Sequence, residues 1–220
     1  MVMAGITAGA GCGYPEFAPQ PIKERDYWNG YPQDGSVPYS LAKRMLQVQS
    51  IAYWRQHRFP IIVTTLGNIY GEYDNFDPDA AHVIPALVRK FVEAVDDGRD
   101  SHLVWGSGKP TRDFVYAGDV VDGMIRAAEK FDEPVLMNLA SGWDHSIREA
   151  VDLLTEISGF KGRIEWQMDK PEGQSSRLLD VSVARENLRF SAPKGLLDGL
   201  KKTFDWYRAN RTTARTEVEK

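Results

Sequence analysis

The feature that most constrains the fold is a short run of apolar residues in the first third of the chain. Ile61 to Leu66 is β-branched and apolar, with almost no polar alternation. A strand that is exposed on one face alternates apolar and polar residues, so this run predicts a strand that is covered on both faces. Such strands belong to parallel sheets between helices. The run therefore predicts an α/β fold with a parallel sheet.

Strand and helix patterns extend on both sides of this run. Further strands are predicted at Val2–Ala8, Leu103–Trp105, Asp113–Tyr116, Val135–Leu139 and Ile164–Trp166. Helices are predicted at Tyr39–Gln56, around Ile84, Leu87, Val88 and Phe91, from an Asp119 cap to Lys130, from a Ser146 cap with Glu149 to Ile157, and at Leu196–Arg208. In the first helix, apolar residues recur at spacings of three and four, which predicts a buried face made of Leu41, Met45, Val48 and Ala52.

Charge and cysteine content exclude several classes of protein. The net charge of −4 argues against binding to nucleic acid, because such domains carry a basic excess. The single cysteine, Cys12, excludes an intrachain disulfide and a CxxC zinc ribbon, so no metal site is expected and the reducing cytoplasm is the expected compartment. No apolar run approaches 18 residues and no signal-peptide pattern is present, so neither membrane insertion nor secretion is expected.

Tyr39 and Lys43 form a Tyr-x3-Lys pair at the start of the first predicted helix. A spacing of four places both side chains on one face of a helix. The ammonium can then lower the pKa of the phenol, which lets Tyr39 act as a general acid or base. Such a pair also arises by chance, so an ordinary pair on a helix surface remains the alternative.

A series of longer motifs gives a more specific signal. The motifs are Cys12–Pro15, Gln20–Glu24, Trp28–Pro32, Pro38–Lys43, Gly67–Gly71, Asp74–Phe76, His82–Leu87, Trp105–Gly108 and Arg112–Phe114. In this order and spacing they resemble the extended short-chain dehydrogenases/reductases. Within that group they are most similar to the GDP-L-fucose synthases and their NAD-dependent epimerase/dehydratase relatives. The resemblance extends from residue 1 to about Tyr207.

The resemblance implies a site for NADP or NAD. It implies that Tyr39 is the catalytic acid or base, and that Lys43 tunes Tyr39 and contacts the ribose of the cofactor. Leu66 and Asn68 would line the nicotinamide and sugar end. We expect a nucleotide-sugar epimerase/reductase, which epimerises a 4-keto-6-deoxy sugar nucleotide and then reduces its ketone.

The resemblance also implies that Cys12 and His82 are the acid and base of the epimerisation. A carbon beside a ketone is acidified enough for a thiol and an imidazole to exchange its proton. Each residue has an ordinary alternative. Cys12 could be a small buried residue, and His82 could cap the start of a helix.

Several residues are expected to bind the sugar nucleotide. The resemblance implies that Arg112 clamps the diphosphate with its guanidinium fork, and that Lys90 and Arg177 assist. An ion pair between Arg112 and Asp113 or Asp119 remains the alternative. Two further side chains, Asn68 and Trp105, are candidates for substrate contact, although for Trp105 the residues alone favour a place in the core.

The sequence departs from the family at two points. The serine or threonine that polarises the substrate carbonyl is expected two residues before Cys12, where this chain has Ala10. Such a donor is worth about 3 to 4 kcal/mol in the transition state. No Gly-x-Gly-x-x-Gly motif opens a helix after a strand, so the N-terminal βαβαβ half of a Rossmann fold is expected to be absent.

The predicted architecture is therefore a partial Rossmann-type parallel sheet with a small α/β substrate-binding subdomain. Residues 1–72 would hold the Tyr-x3-Lys helix, 73–210 mainly the subdomain with interleaved Rossmann elements, and 211–220 a polar tail. The opening strand would expose an apolar edge, so a second copy or a separate chain is expected to cover it. Two alternatives to the leading function remain: a non-catalytic nucleotide-sugar-binding or assembly module, and a dehydratase or 4-epimerase for UDP- or dTDP-sugars.

Overall fold

The computed structural model describes residues 4–170 and 172–214. Within them the strands are β1 Gly5–Ala8, β2 Ile61–Leu66, β3 Asn68–Tyr70, β4 Ser101–Trp105, β5 Thr111–Arg112, β6 Phe114–Tyr116, β7 Leu136–Leu139, β8 His145–Ser146 and β9 Arg163–Gln167. The helices are α1 Val37–His57, α2 Val83–Asp96, α3 Ala117–Lys130, α4 Ile147–Ser158, α5 Ser182–Leu188 and α6 Leu196–Asn210. The predictions for residues 1–3 and 215–220 lie outside the described residues.

The chain divides into two compact units, of which unit 1 holds the main parallel sheet. Unit 1 takes the residues up to Ile69, Asp113–Trp143 and Arg177–Pro193. Its sheet has the order β1-β2-β7, and both pairings are parallel. The central strand β2 is buried, with Ile62 and Val63 fully inaccessible. The predicted α/β fold with a parallel sheet is confirmed.

A buried asparagine fixes the Pro-rich loop of unit 1 to this sheet. Asn138 on β7 accepts a hydrogen bond from the Tyr14 hydroxyl at 2.6 Å. Its amide donates to the carbonyl oxygens of Ile22 at 3.0 Å and Asp180 at 2.9 Å. Its backbone N–H donates to the Glu24 carboxylate at 2.9 Å. Because the side chain has both donors and acceptors, one residue satisfies main-chain groups of two loops.

Helix α1 contradicts the predicted burial of its apolar face. The exposed side chains are those expected inside: Leu41, Met45, Val48 and Ala52. The buried ones are polar: Ser40, Arg44 and Ser50. The reason is that polar side chains of α1 bond to main-chain carbonyls beside it, as Ser50 does to Ile61. A helix that packs through hydrogen bonds to main chain buries its polar stripe, so the predicted face is wrong.

Unit 2 consists of helices and two two-stranded sheets. It takes Tyr70–Arg112, Asp144–Ser176 and the residues from Lys194 onward. β4 and β9 pair in parallel, β5 and β8 pair antiparallel, and α2, α4 and α6 pack on one another. The predicted apolar face of α2 is buried, as expected from its 3.6-residue period. No helix in the described part of the chain is both long enough and apolar enough to cross a membrane.

The helix caps agree with the predictions only in part. Ser146 caps α4, accepting a hydrogen bond from the Glu149 backbone N–H at 3.0 Å. The Glu149 carboxylate contacts Nδ1 of His145 at 2.9 Å. Asp119 does not cap α3. The cap position belongs to Tyr116, and Asp119 lies inside the first turn, where its charge still favours the helix dipole.

The core of unit 2 contains a neutral histidine. His102 on β4 is only 4% exposed, and its ring lies 4.6 Å from Phe91 and 6.2 Å from Phe160, between ring centroids. Its Nε2 atom has no hydrogen-bond partner among the described residues. Burial, together with the charges of Lys90 and Arg99, lowers the pKa of His102 to about 4. His102 is therefore uncharged near neutral pH.

The buried histidine predicts acid sensitivity. The unfolded chain takes up a proton on His102 below its ordinary pKa of about 6.5, whereas the folded protein takes it up only near pH 4. The stability that the neutral His102 contributes is therefore fully present above about pH 6.5, and it is lost as the pH falls towards about 4. Lowering the pH from about 7 to about 4.5 should decrease the free energy of unfolding by about 2 to 3 kcal/mol through His102, and urea titration measures this decrease.

The matched variants are His102→Phe and His57→Phe, because His57 is exposed at the end of α1. The first should flatten the pH dependence and the second should retain it. An unchanged slope in His102→Phe would contradict the assignment.

Candidate active site

Tyr39 and Lys43 lie together on the first turns of α1. The Lys43 ammonium is 5.5 Å from the centroid of the Tyr39 ring. It donates a hydrogen bond of 2.9 Å to the carbonyl of Ala8, the last residue of β1. The phenol of Tyr39 remains accessible, since its side chain is 55% exposed. The pair therefore stands at the carboxyl end of a parallel strand, which is where α/β folds place their ligands.

The pKa of Tyr39 is shifted in the direction opposite to the prediction. Partial burial raises it, and a negative charge on Cys12 raises it further. The expected lowering by Lys43 is not found, because the ammonium bonds to Ala8 instead of the phenol. A tyrosine with a raised pKa keeps its proton at neutral pH. Tyr39 is therefore in the protonated form that a proton donor needs, as an ordinary tyrosine is, and the shift makes it a weaker acid.

Cys12 lies on a tight turn directly after β1. Gly11–Gly13 form a 3-10 turn, and the thiol within it is half-buried. The turn needs small residues because the main chain is close: a Cβ at Gly11 would lie 3.0 Å from the carbonyl of Leu66. The structure thereby brings Cys12, Tyr39 and the end of β2 into one region of unit 1. Ala10 precedes the turn and offers it no side-chain cap.

Asn68 is exposed on β3, and a buried aspartate supports its main chain. Its N–H donates to the Asp113 carbonyl at 2.7 Å. The Asp113 carboxylate accepts from Ser141 N–H at 2.7 Å, Ser141 Oγ at 2.6 Å and Gly142 N–H at 3.2 Å. Burial raises the pKa of Asp113, and these hydrogen bonds oppose the rise. Because its carboxylate serves this loop, Asp113 is not the ion-pair partner considered for Arg112.

In unit 2, Trp105 and Lys90 come together on the surface. Trp105 ends β4 and is 61% exposed, so the interpretation as a core residue is wrong. The ammonium groups of Lys90 and Lys170 lie 5.3 and 5.9 Å from its ring centroid. Burial lowers the pKa of Lys90, and the charge of Glu93 opposes this. An exposed indole with two cations can bind a flat, anionic ligand.

Main-chain carbonyls hold Arg112 in a fixed orientation. Its Nη1 donates to Thr111 at 2.6 Å and to Gln174 at 2.8 Å, and its Nη2 to Glu172 at 3.4 Å. Burial lowers its pKa, and the charge of Asp144 opposes the change. Carbonyls orient a guanidinium without neutralising it. The group therefore keeps its positive charge for an anion.

His82 lies at the start of α2 without capping it. The residue occupies the cap position, but its side chain makes no cap hydrogen bond and is exposed. The interpretation of the imidazole as a helix cap is therefore wrong. Burial raises the pKa of Asp74, and the charge of His82 opposes that rise, so the two side chains are close enough to interact. Arg177 belongs to unit 1 and is half-buried.

Two residues near the unit 1 site were not identified from the sequence. Arg44, next to Lys43, is 5% exposed and donates from Nε to the carbonyl of Gly13 at 2.6 Å. Asp113 is 1% exposed. Within the motif Arg112–Phe114, an aspartate beside apolar residues was a usable signal for burial. No such signal for burial marked Arg44, because an arginine on a helix is ordinarily exposed.

Comparison with known proteins gives a consistent assignment. Residues 4–140, more than half of the chain, match the family described as the NAD dependent epimerase/dehydratase family. The chain is 36% identical over 202 residues to GDP-L-fucose synthase 1 of Arabidopsis thaliana, covering 92% of this chain and 62% of that one. It is 33% identical to GDP-L-fucose synthase of Escherichia coli, covering 94% of this chain and 67% of the relative. The chain thus spans about three fifths of the plant relative's length.

A solved structure has the same fold. The GDP-L-fucose synthetase from Naegleria fowleri bound to NADP superimposes with a TM-score of 0.89 at 26% identity, covering 97% of this chain and 68% of that one. The parallel sheet, the match to the family and the identity to these enzymes agree. The chain belongs to the NAD-dependent epimerase/dehydratase family.

Proposed function

We propose that this chain carries the proton-transfer and sugar-nucleotide-binding part of a nucleotide-sugar epimerase/reductase of the GDP-L-fucose synthase type. The substrate class is a 4-keto-6-deoxy sugar nucleotide. The main support is the region of unit 1 in which Tyr39 and Lys43 lie at the end of β1, with the charge of Cys12 acting on Tyr39. The relatives named above are GDP-L-fucose synthases.

Proton transfer is assigned to three residues. In epimerisation, one of Cys12 and His82 removes the proton from a carbon beside the ketone, and the other returns a proton to the opposite face. In reduction, Tyr39 donates its phenol proton to the ketone oxygen; a tyrosine already holds that proton at neutral pH. Lys43 holds α1 at the end of β1 and supplies a positive charge beside the phenol.

The residues of this chain fit the nicotinamide–ribose end of NADP or NAD. Tyr39, Lys43, Leu66 and Asn68 are proposed to hold that end. The solved relative bound to NADP supports this choice of cofactor. The chemistry that a reduced nicotinamide supplies when bound is a hydride. The glycines after β1 lead into a 3-10 turn and a Pro-rich loop, not into a helix, so they do not form a pyrophosphate cradle.

The sugar nucleotide is assigned mainly to three side chains of unit 2, those of Trp105, Lys90 and Arg112. The exposed ring of Trp105 and the ammonium of Lys90 suit the base and the phosphates. The oriented guanidinium of Arg112 suits the diphosphate, because its fork matches phosphate geometry. Asn68 and Arg177 are proposed to assist.

A second copy of this chain, or a separate chain, is proposed as the partner. β1 pairs only with β2 among the described residues, so its other edge is open. The exposed face of α1 adds an apolar stripe on the same unit. Isolated exposed apolar residues are ordinary, whereas a continuous stripe indicates an interface. We also propose a cytoplasmic location, because Cys12 must remain a free thiol for proton exchange.

Ligand titration tests the function directly. GDP and NADPH, added separately, should each change the fluorescence of the six tryptophans. Trp105→Phe should remove the response to GDP, whereas Trp143→Phe, which alters another exposed tryptophan, should keep it. Binding of GDP without NADPH would support the non-catalytic binding module, and binding of neither would contradict both functions.

Cys12→Ser should separate the two half-reactions. With a 4-keto-6-deoxy GDP-sugar in deuterated water, exchange at the carbons beside the ketone should fall by about a hundredfold or more, since a serine hydroxyl is a much weaker acid than a thiol and does not ionise near neutral pH. NADPH oxidation with an already epimerised ketone should persist. Tyr39→Phe is the matched control and should show the reverse pattern. Wild-type exchange in Cys12→Ser would rule out its role.

Self-association is expected through the exposed face of α1. Sedimentation velocity should give a species heavier than one chain. The double variant Leu41→Glu, Val48→Lys should shift it to the monomer, because charges on a buried apolar interface are costly. Leu197→Lys changes an exposed apolar residue of α6 and should leave the mass unchanged. A wild-type chain that sediments as a monomer would disprove association.

A further inference from the structure

Helix α1 contains a buried cation that no described acid neutralises. Arg44 is 5% exposed, and it forms no ion pair with any described carboxylate. Its Nη2 atom has no hydrogen-bond partner among residues 4–170 and 172–214. Burial of a guanidinium in such surroundings destabilises the fold compared with an apolar residue. The side chain therefore calls for an explanation other than stability.

Arg44 bonds to the turn that carries the proposed acid/base cysteine. Gly13 is the last residue of this turn, and its carbonyl accepts a hydrogen bond of 2.6 Å from the Arg44 Nε. The turn's own bonds are short-range: Gly13 N–H to Ala10 at 2.9 Å and Tyr14 N–H to Gly11 at 3.1 Å. No side-chain cap stabilises its start at Ala10. Arg44 is thus a link from the far end of this turn to a long helix.

Two aromatic rings hold the guanidinium in place. The Arg44 Cζ atom lies 5.7 Å from the centroid of the Tyr27 ring and 5.3 Å from that of Trp28. Trp28 is itself fixed to α1, because its Nε1 donates to Gln47 at 2.6 Å. A Cβ added at Gly13 would lie 2.5 Å from the Tyr27 hydroxyl oxygen, so the ring also packs directly on the turn. The turn, the rings and α1 form one contact set.

Cys12 lies close enough to Tyr27 and to Tyr39 to affect the pKa of both. Burial raises the pKa of Tyr27 to about 12, the charge of Arg44 opposes the rise, and that of Cys12 adds to it. The charge of Cys12 also raises the pKa of Tyr39. Cys12 is therefore near the ring that packs on its turn and near the proposed proton donor. A shift of the turn would change the position of the thiol relative to Tyr39.

We infer that Arg44 is a positioning residue, which fixes the Gly11–Gly13 turn so that Cys12 is held beside Tyr39 for proton exchange. The proton exchange rests on the proposed function, whereas the hold on the turn rests on the contacts alone. Lysine cannot replace arginine here, because a methylene group stands where Arg44 carries Nε.

Alkylation of Cys12 tests the hold on the turn. Cys12 is the single cysteine, so iodoacetamide labels one site. Removing a charge-assisted hydrogen bond should increase local opening, and Arg44→Met should be alkylated about tenfold faster than the wild type. Arg55→Met alters an exposed arginine of the same helix and should react at the wild-type rate. Equal rates in Arg44→Met and the wild type would overturn the inference.

The effect of Arg44 on proton exchange is tested by a separate measurement. With the 4-keto-6-deoxy GDP-sugar, Arg44→Met should lower kcat for deuterium exchange by about tenfold with little change in KM, whereas NADPH oxidation with the already epimerised ketone should persist. Faster alkylation with unchanged exchange would contradict the role proposed for Cys12 and leave the hold on the turn supported. If Arg44→Met does not fold, Arg44→Lys serves, and it too should be alkylated faster. A wild-type rate there would overturn the inference.

Discussion

The candidate site of unit 1 depends on hydrogen bonds from side chains of α1 to main-chain carbonyls. Lys43 bonds to Ala8 at the end of β1, Arg44 to Gly13 in the turn that follows, and Ser50 to Ile61 at the start of β2. Carbonyls of strand ends and turns have few other partners, and an unpaired buried carbonyl is costly. The same bonds that satisfy the main chain therefore set where α1 lies, and with it Tyr39.

This packing has a consequence for the opposite face of the helix. Because the polar stripe faces the sheet, the apolar stripe of Leu41, Met45 and Val48 faces outward. Because each of these residues is about half exposed, each forgoes roughly 1 kcal/mol of burial energy. A second chain on this face would recover part of that energy. The arrangement that orders the site thus also favours association.

Sequence patterns correctly predicted the elements whose packing is determined by burial of apolar side chains. β2 has the predicted bounds, and α2 buries its predicted face, because both pack through apolar side chains. The buried face of α1 was predicted wrongly, because hydrogen bonds decide how this helix packs and a hydropathy pattern does not detect them. For the same reason Arg44 was not identified. Trp105 was assigned to the core from residue type, whereas its position at the end of β4 leaves it exposed.

Ala10 makes Tyr39 the more important donor in the proposed reduction. A hydroxyl at this position would share the polarisation of the ketone, and its loss costs about 3 to 4 kcal/mol in a typical oxyanion site. Tyr39 can serve as the remaining donor, because its phenol, like that of an ordinary tyrosine, holds its proton at neutral pH. The proton donor proposed for reduction and the thiol proposed for epimerisation thus lie on neighbouring elements, Tyr39 on α1 and Cys12 on the turn that Arg44 joins to α1.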